Sequence, residues 1–105
     1  MAQINNIKKP PQLDGSNYPY WKAKMTTYIK SINRKVWKVV ETKFEVADPK
    51  YPTTAEEVLL QNNDIALSAI HDAVDERTFE QIKNIEMAHE AWKKLEGSFE
   101  GTQAI

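Results

Sequence analysis

The chain has 105 residues, 41% hydrophobic and 28% charged, a composition that suits one soluble globular domain and excludes a disordered or fibrous protein. It contains no cysteine, which excludes a disulfide framework and thiolate zinc sites and sets the expectation of an intracellular, cytoplasmic protein. The net charge of −1 conceals a division, because residues 1–43 carry nine basic side chains against two acidic ones and residues 44–105 carry five against thirteen.

Met1 to Gln12 lack the apolar core of a signal peptide, and no run of about 18 apolar residues is available to span a bilayer, so no membrane partner is expected. Residues 1–12, with Lys8-Lys9-Pro10-Pro11, read as an extended lead-in that only Ile4 and Ile7 can pin to the body, and residues 13–105 read as the folded unit. Asp14-Gly15-Ser16-Asn17 is a run of turn formers, and Pro19 suits a first helical turn, so a helix is predicted from near Tyr18. Along it Trp21, Met25, Tyr28, Ile29 and Ile32 recur at spacings of three and four and mark a core-facing stripe.

Ser31 to Lys35 predicts a break. The segment Val36, Trp37, Val39 and Val40 is β-branched enough for a strand, but a lone strand has no partner, so a short helix is predicted over Arg34 to Glu41. Thr42 to Thr53, with Pro49 and Pro52, reads as a loop. A long helix should open at Thr53 or Thr54, where a hydroxyl caps the first turn and Glu56 and Glu57 complement the dipole, and should run to about Ala73. Its apolar side comprises Val58, Leu59, Ile65, Ala66, Ala69, Ile70 and Ala73, with Asn62 on the same side and in need of hydrogen-bond partners if buried. Asp75 should cap a short helix carrying Phe79 and Ile82. Glu86 or Met87 should open a last one with Ala88, Ala91, Trp92, Leu95 and Phe99, stopped by Gly101. The fold class is therefore all-α, a compact bundle of about five helices, with Trp21, Trp37 and Trp92 meeting in one core.

The sequence offers no constellation of catalytic or metal-ligating residues. The only histidines are His71 and His89. His71 reads as a surface or cap residue, and His89-Glu90 lacks the second histidine of a zinc helix. Glu56-Glu57 and Asp75-Glu76 sit at helix starts, where dipole complementation accounts for them, and three glycines make no phosphate loop. No catalytic residue, metal or cofactor is expected, and the chain does not read as an enzyme.

The order Leu13-Asp-Gly-Ser-Asn-Tyr18, two residues, Trp21, three residues, Met25, then Trp37 before Val39-Val40, resembles the N-terminal gag region of copia-type LTR retrotransposons of plants. Asn63-Asp-Ile-Ala-Leu-Ser-Ala-Ile70, and Ala88-His-Glu-Ala-Trp-Lys-Lys-Leu95 followed by Phe99-Glu-Gly101, are similar to two further signatures of that family, in the expected order. The resemblance implies an all-helical capsid N-terminal lobe that packs against copies of itself. It also implies that RNA contact belongs to gag regions absent here, such as the Cys-Cys-His-Cys zinc knuckle that usually follows.

The charge division then has two readings: solvated faces attracting one another within the fold, or a basic surface on one subunit meeting an acidic one on the next. Tyr20, Tyr51, Leu60 and Leu67, beside Lys30, Arg34, Lys35, Glu76 and Glu80, are the candidate interaction residues, being least committed to the core pattern. The expected partner is the chain itself, as a weak homo-oligomer. The alternative is a host-retained module whose helical groove takes an apolar peptide from a partner protein. Nucleic-acid binding by the basic half is weaker still, since the acidic half repels phosphate and no exposed aromatic platform is evident.

Overall fold

Five helices form in the computed structural model, which describes residues 9–100: α1 (Tyr18–Ile32), α2 (Arg34–Glu41), α3 (Thr54–Asp72), α4 (Glu76–Ile82) and α5 (Ala88–Phe99). Each starts where local chemistry permits. Asp14 Oδ1 accepts from the Ser16 N–H (2.9 Å) and hydroxyl (2.8 Å), while the Asn17 side chain accepts from the Asp14 N–H (3.1 Å) and donates to the Gln12 carbonyl (2.9 Å). Gly15 sits at φ +91°, a region that side chains with a Cβ rarely adopt. Asn17 is engaged in this turn and leaves the first turn of α1 without a side-chain cap, and Pro19 removes one N–H that would need it. Asn33 and Asp75 cap α2 and α4. Thr53 and Glu56 form a reciprocal capping box at the start of α3, and Glu56 also accepts from the Ala47 N–H, which folds the preceding loop onto the helix.

The end of α3 is closed from far away in the sequence. A helix leaves its last carbonyls without partners. Here Ala73 O accepts from the Leu13 N–H (2.8 Å) and from Trp21 Nε1 (3.1 Å), and Asp72 O accepts from Gln12 Nε2 (2.6 Å). Trp21 Nε1 also reaches Pro11 O at 3.0 Å. The stretch around Leu13 is thus both the turn before α1 and the cap after α3, and Leu13 itself is buried. Residues 9–12 are pinned by Pro11 and Gln12, whereas Ile4 and Ile7, expected to do this, lie outside the described residues, as does Gly101.

The core centres on Trp92, whose ring lies 5.6 Å from that of Trp21 and 5.5 Å from that of Trp37. Met25 and Ile29 of α1, Ile70 of α3 and Leu95 of α5 are fully buried beside it, with Trp37, Phe79 and Phe99 half-buried against the same cluster. α2 is short but central. It packs against α1, α3 and α5, and its Val36, Val39 and Val40 are all buried. Asn63 of α3 joins α5 to the bundle: its Nδ2 donates to Glu86 O (2.8 Å) and its Oδ1 accepts from the Ala88 N–H (2.7 Å), supplying the cap that Met87 cannot.

The structure corrects the predicted core in four places. Ile32, Val58 and Ile65 are exposed, and the buried asparagine of α3 is Asn63 rather than Asn62. The inner row of α3 runs through Asn63, Ala66, Leu67 and Ile70, about a third of a turn from the row Val58, Asn62 and Ile65. Periodicity marks both rows as apolar, but α2 and α5 cover only the first. Ile32 is the last residue of α1, after which Asn33 turns extended, and no helix closes over it.

Candidate protein-interaction surface

Among the residues expected to meet a partner, Leu67 is excluded. It is buried on the inner row of α3, because it lies four residues from Asn63 and three from Ile70. Leu60 is half-buried. Tyr20 is 63% exposed on α1 and Tyr51 74% exposed in the loop before α3. Lys24 places its ammonium 5.9 Å from the centre of the Tyr20 ring, and Lys30 lies 5.7 Å from that of Trp37. An exposed aromatic beside cations therefore exists, contrary to the sequence reading.

The charged candidates fall at two ends. The start of α1 meets the end of α3 through Trp21 and Ala73, and its last residue, Ile32, lines the same groove as Ile65, so α1 and α3 run antiparallel. Arg34 and Lys35 follow the end of α1 and Glu76 and Glu80 follow the end of α3, which separates the basic and acidic groups along the bundle. All four are exposed, and Glu80 pairs with Lys83 at 2.8 Å.

Two depressions share a wall. A cleft of about 530 Å³ lies between residues 9–12 and α1, with Lys9, Tyr20, Lys24 and Tyr28 among its walls. A groove of about 380 Å³ separates α1 from α3, with Tyr28 and Ile32 on one side, Ile65 and Ala69 on the other, and Asp64 and Asp72 along it. Tyr28 borders both, so the two depressions adjoin across α1 and reach Ile65 of α3, with the exposed Tyr20, Ile32 and Ile65 set among polar side chains such as Lys24, Asp64 and Asp72. The sequence marks these residues as apolar; what it lacks is which of them a neighbour covers.

Part of the charge division is used inside the fold. Lys22 of α1 meets Glu100 (2.7 Å) and Glu96 (3.0 Å) by α5, and Glu96 also meets Lys93 (3.2 Å). The hydrogen bond to Glu100 raises the Lys22 pKa. Burial opposes ionisation of Glu96, but hydrogen bonds from Lys22 and Lys93 outweigh it and hold that carboxyl below its ordinary value. Tyr18, stacked on Phe99 at 5.3 Å, has its hydroxyl pKa raised, first by burial and then by Glu100 and Glu96.

His89 Nδ1 donates to Val40 O at 2.8 Å and so closes the end of α2. His71 packs edge-on against Phe79 at 5.0 Å, with its Nε2 buried and without a hydrogen-bond partner, where the sequence suggested a surface or cap role. No group of three or more His, Asp or Glu is arranged to hold a metal among the described residues, and none of their helices is long and apolar enough to cross a membrane.

A family model described as the gag-polypeptide of LTR copia-type matches residues 25–105. The chain belongs to that family. No curated protein and no solved structure matches it. The match begins after the Leu13–Trp21 stretch on which part of the resemblance rests, and that stretch caps the end of α3 inside the matched region.

Proposed function

We propose that this gag-derived domain is a structural, capsid-like lobe that associates weakly with copies of itself, as a building unit of a particle. The gag family is structural rather than catalytic, which supports a role in assembly. The observation that carries the reading is the exposed apolar surface of α1 and α3, where Tyr20, Ile32 and Ile65 face solvent although the three tryptophans are gathered inside. Arg34 and Lys35 at one end and Glu76 and Glu80 at the other suit head-to-tail steering between copies, which sets register more than affinity.

Sedimentation at rising concentration tests this. Reversible association should appear at low salt and weaken as the Debye length falls below about 10 Å. Reversing Arg34 and Lys35 to Glu should weaken it, with partial recovery when Glu76 and Glu80 become Lys. A strict monomer at millimolar concentration would contradict the reading. The cleft beside Tyr20 and Tyr28 favours a second one, in which the same surface takes an apolar peptide from a partner protein.

A further inference from the structure

We infer that the α1–α3 groove face is a two-fold, self-complementary contact, on which a second copy of this chain docks with its α1 over the first copy's α3. The inference rests on the self-association proposed above and adds to its head-to-tail steering a second, two-fold contact. Ile32 is 42% exposed and Ile65 39%, on opposite walls of the groove, with Ala69 at its floor and Tyr28 on the α1 wall. Lys24 lies one turn before Tyr28 on α1, and Asp72 lies near the end of α3 that meets the start of α1. Among the described residues, Lys24, Asp64 and Asp72 have no ion-pair partner.

The antiparallel course of the two helices makes these positions complementary. A two-fold axis parallel to them, running over the groove, lays α1 of each copy on α3 of the other without shifting the level along the helices. At the level of Trp21 and Ala73 the chain is capped. With Ile32 level with Ile65 across the groove, Tyr28 faces Ala69 of the second copy and Lys24, one turn nearer the capped end, comes to Asp72. Every contact occurs twice, as a two-fold interface requires. An apolar centre of Tyr28, Ile32 and Ile65 is flanked by a cation–carboxylate pair on each side, the pattern of an apolar core with a charged rim. The aspartates along the groove disfavour a nucleic-acid occupant by repelling phosphate, while they supply what the lysine of a second copy needs.

Sedimentation equilibrium of the full chain and three variants decides it, with thermal melting as the check on folding. Ile65→Asp and Lys24→Asp, both at exposed positions, should melt within a few degrees of wild type and raise the dimer dissociation constant by about tenfold or more. Lys24→Asp combined with Asp72→Lys should recover most of the loss. A wild-type chain that associates while Ile65→Asp and Lys24→Asp associate equally well overturns this contact and leaves the proposed function standing. A wild-type chain that remains monomeric at millimolar concentration removes both, and leaves the face to a peptide of another protein.

Discussion

The two sides of α1 behave as different materials. On the inner side Trp21, Met25 and Ile29 are fully buried, and even the indole N–H of Trp21 has two acceptors. On the outer side Tyr20 and Ile32 face solvent, and the groove toward α3 is left open. The inner side is complete in one copy of the chain; the outer side is open to solvent and is where the contact proposed above would form. Burial within the monomer separates the two sets of apolar residues: changes to the inner side should act on folding, changes to the outer side on association.

The largest effect should come from Trp92→Ala. It removes the ring that contacts both other tryptophans and should cost about 3–5 kcal/mol, a large part of a small domain's stability. Denaturant titration should find the variant mostly unfolded or strongly destabilised, while Ile65→Asp stays within about 0.5 kcal/mol of wild type. If the two variants lost equal stability, the division into sides would fail.

Next comes Asn63→Ala. It leaves the Ala88 N–H and the Glu86 carbonyl without their partners, each loss worth about 1–3 kcal/mol, whereas Asn62→Ala, one position away on the outer row, should change little. Reversal of that order in chemical denaturation would place the wrong row of α3 inside. Thr53→Ala, which removes half of the capping box, should cost about 1 kcal/mol.

The smallest effect is on pH. Hydrogen bonds from the Thr53 and Ala47 backbone hold the Glu56 carboxyl below its ordinary value, hydrogen bonds from Thr78 do the same for Asp75, and Ser16 does so for Asp14. A depressed carboxyl stabilises the fold above its unfolded pKa and loses that contribution as pH falls through the folded one. The melting temperature should thus decline progressively below about pH 4.5, the ordinary glutamate value, and Glu56→Gln should flatten part of the decline. The raised Lys22 pKa has the opposite sign, so its contribution is present below about 10.5 and fades only at higher pH.

Much of this architecture is legible in the sequence. Helix starts carry local signals, so Asp75, Thr53 and Pro19 place α4, α3 and α1 correctly, and the aromatic spacing predicts the tryptophan seam. Features set by a distant neighbour are not legible. The cap on α3 comes from Leu13 and Trp21, 52 residues before Ala73 in the case of Trp21, and no local pattern announces it. Choosing Asn63 over Asn62, or Leu67 over Ile65, requires knowing which third of a broad apolar side α2 and α5 cover. The candidate surface suffers most from this, because it is defined by absence of cover: Tyr20 is exposed, Leu67 is buried, and Ile32 and Ile65, expected in the core, are exposed.

The central claim, that the interior is finished and the α1–α3 face awaits a copy, is tested most directly by backbone amide NMR of a nitrogen-labelled chain diluted from millimolar to micromolar concentration. Signals of Lys24, Tyr28, Ile32, Ile65 and Ala69 should move with dilution, while those of Trp21, Asn63 and Trp92 stay fixed. Signals that stay fixed throughout, or that move at Arg34, Lys35, Glu76 and Glu80 but not in the groove, would contradict it.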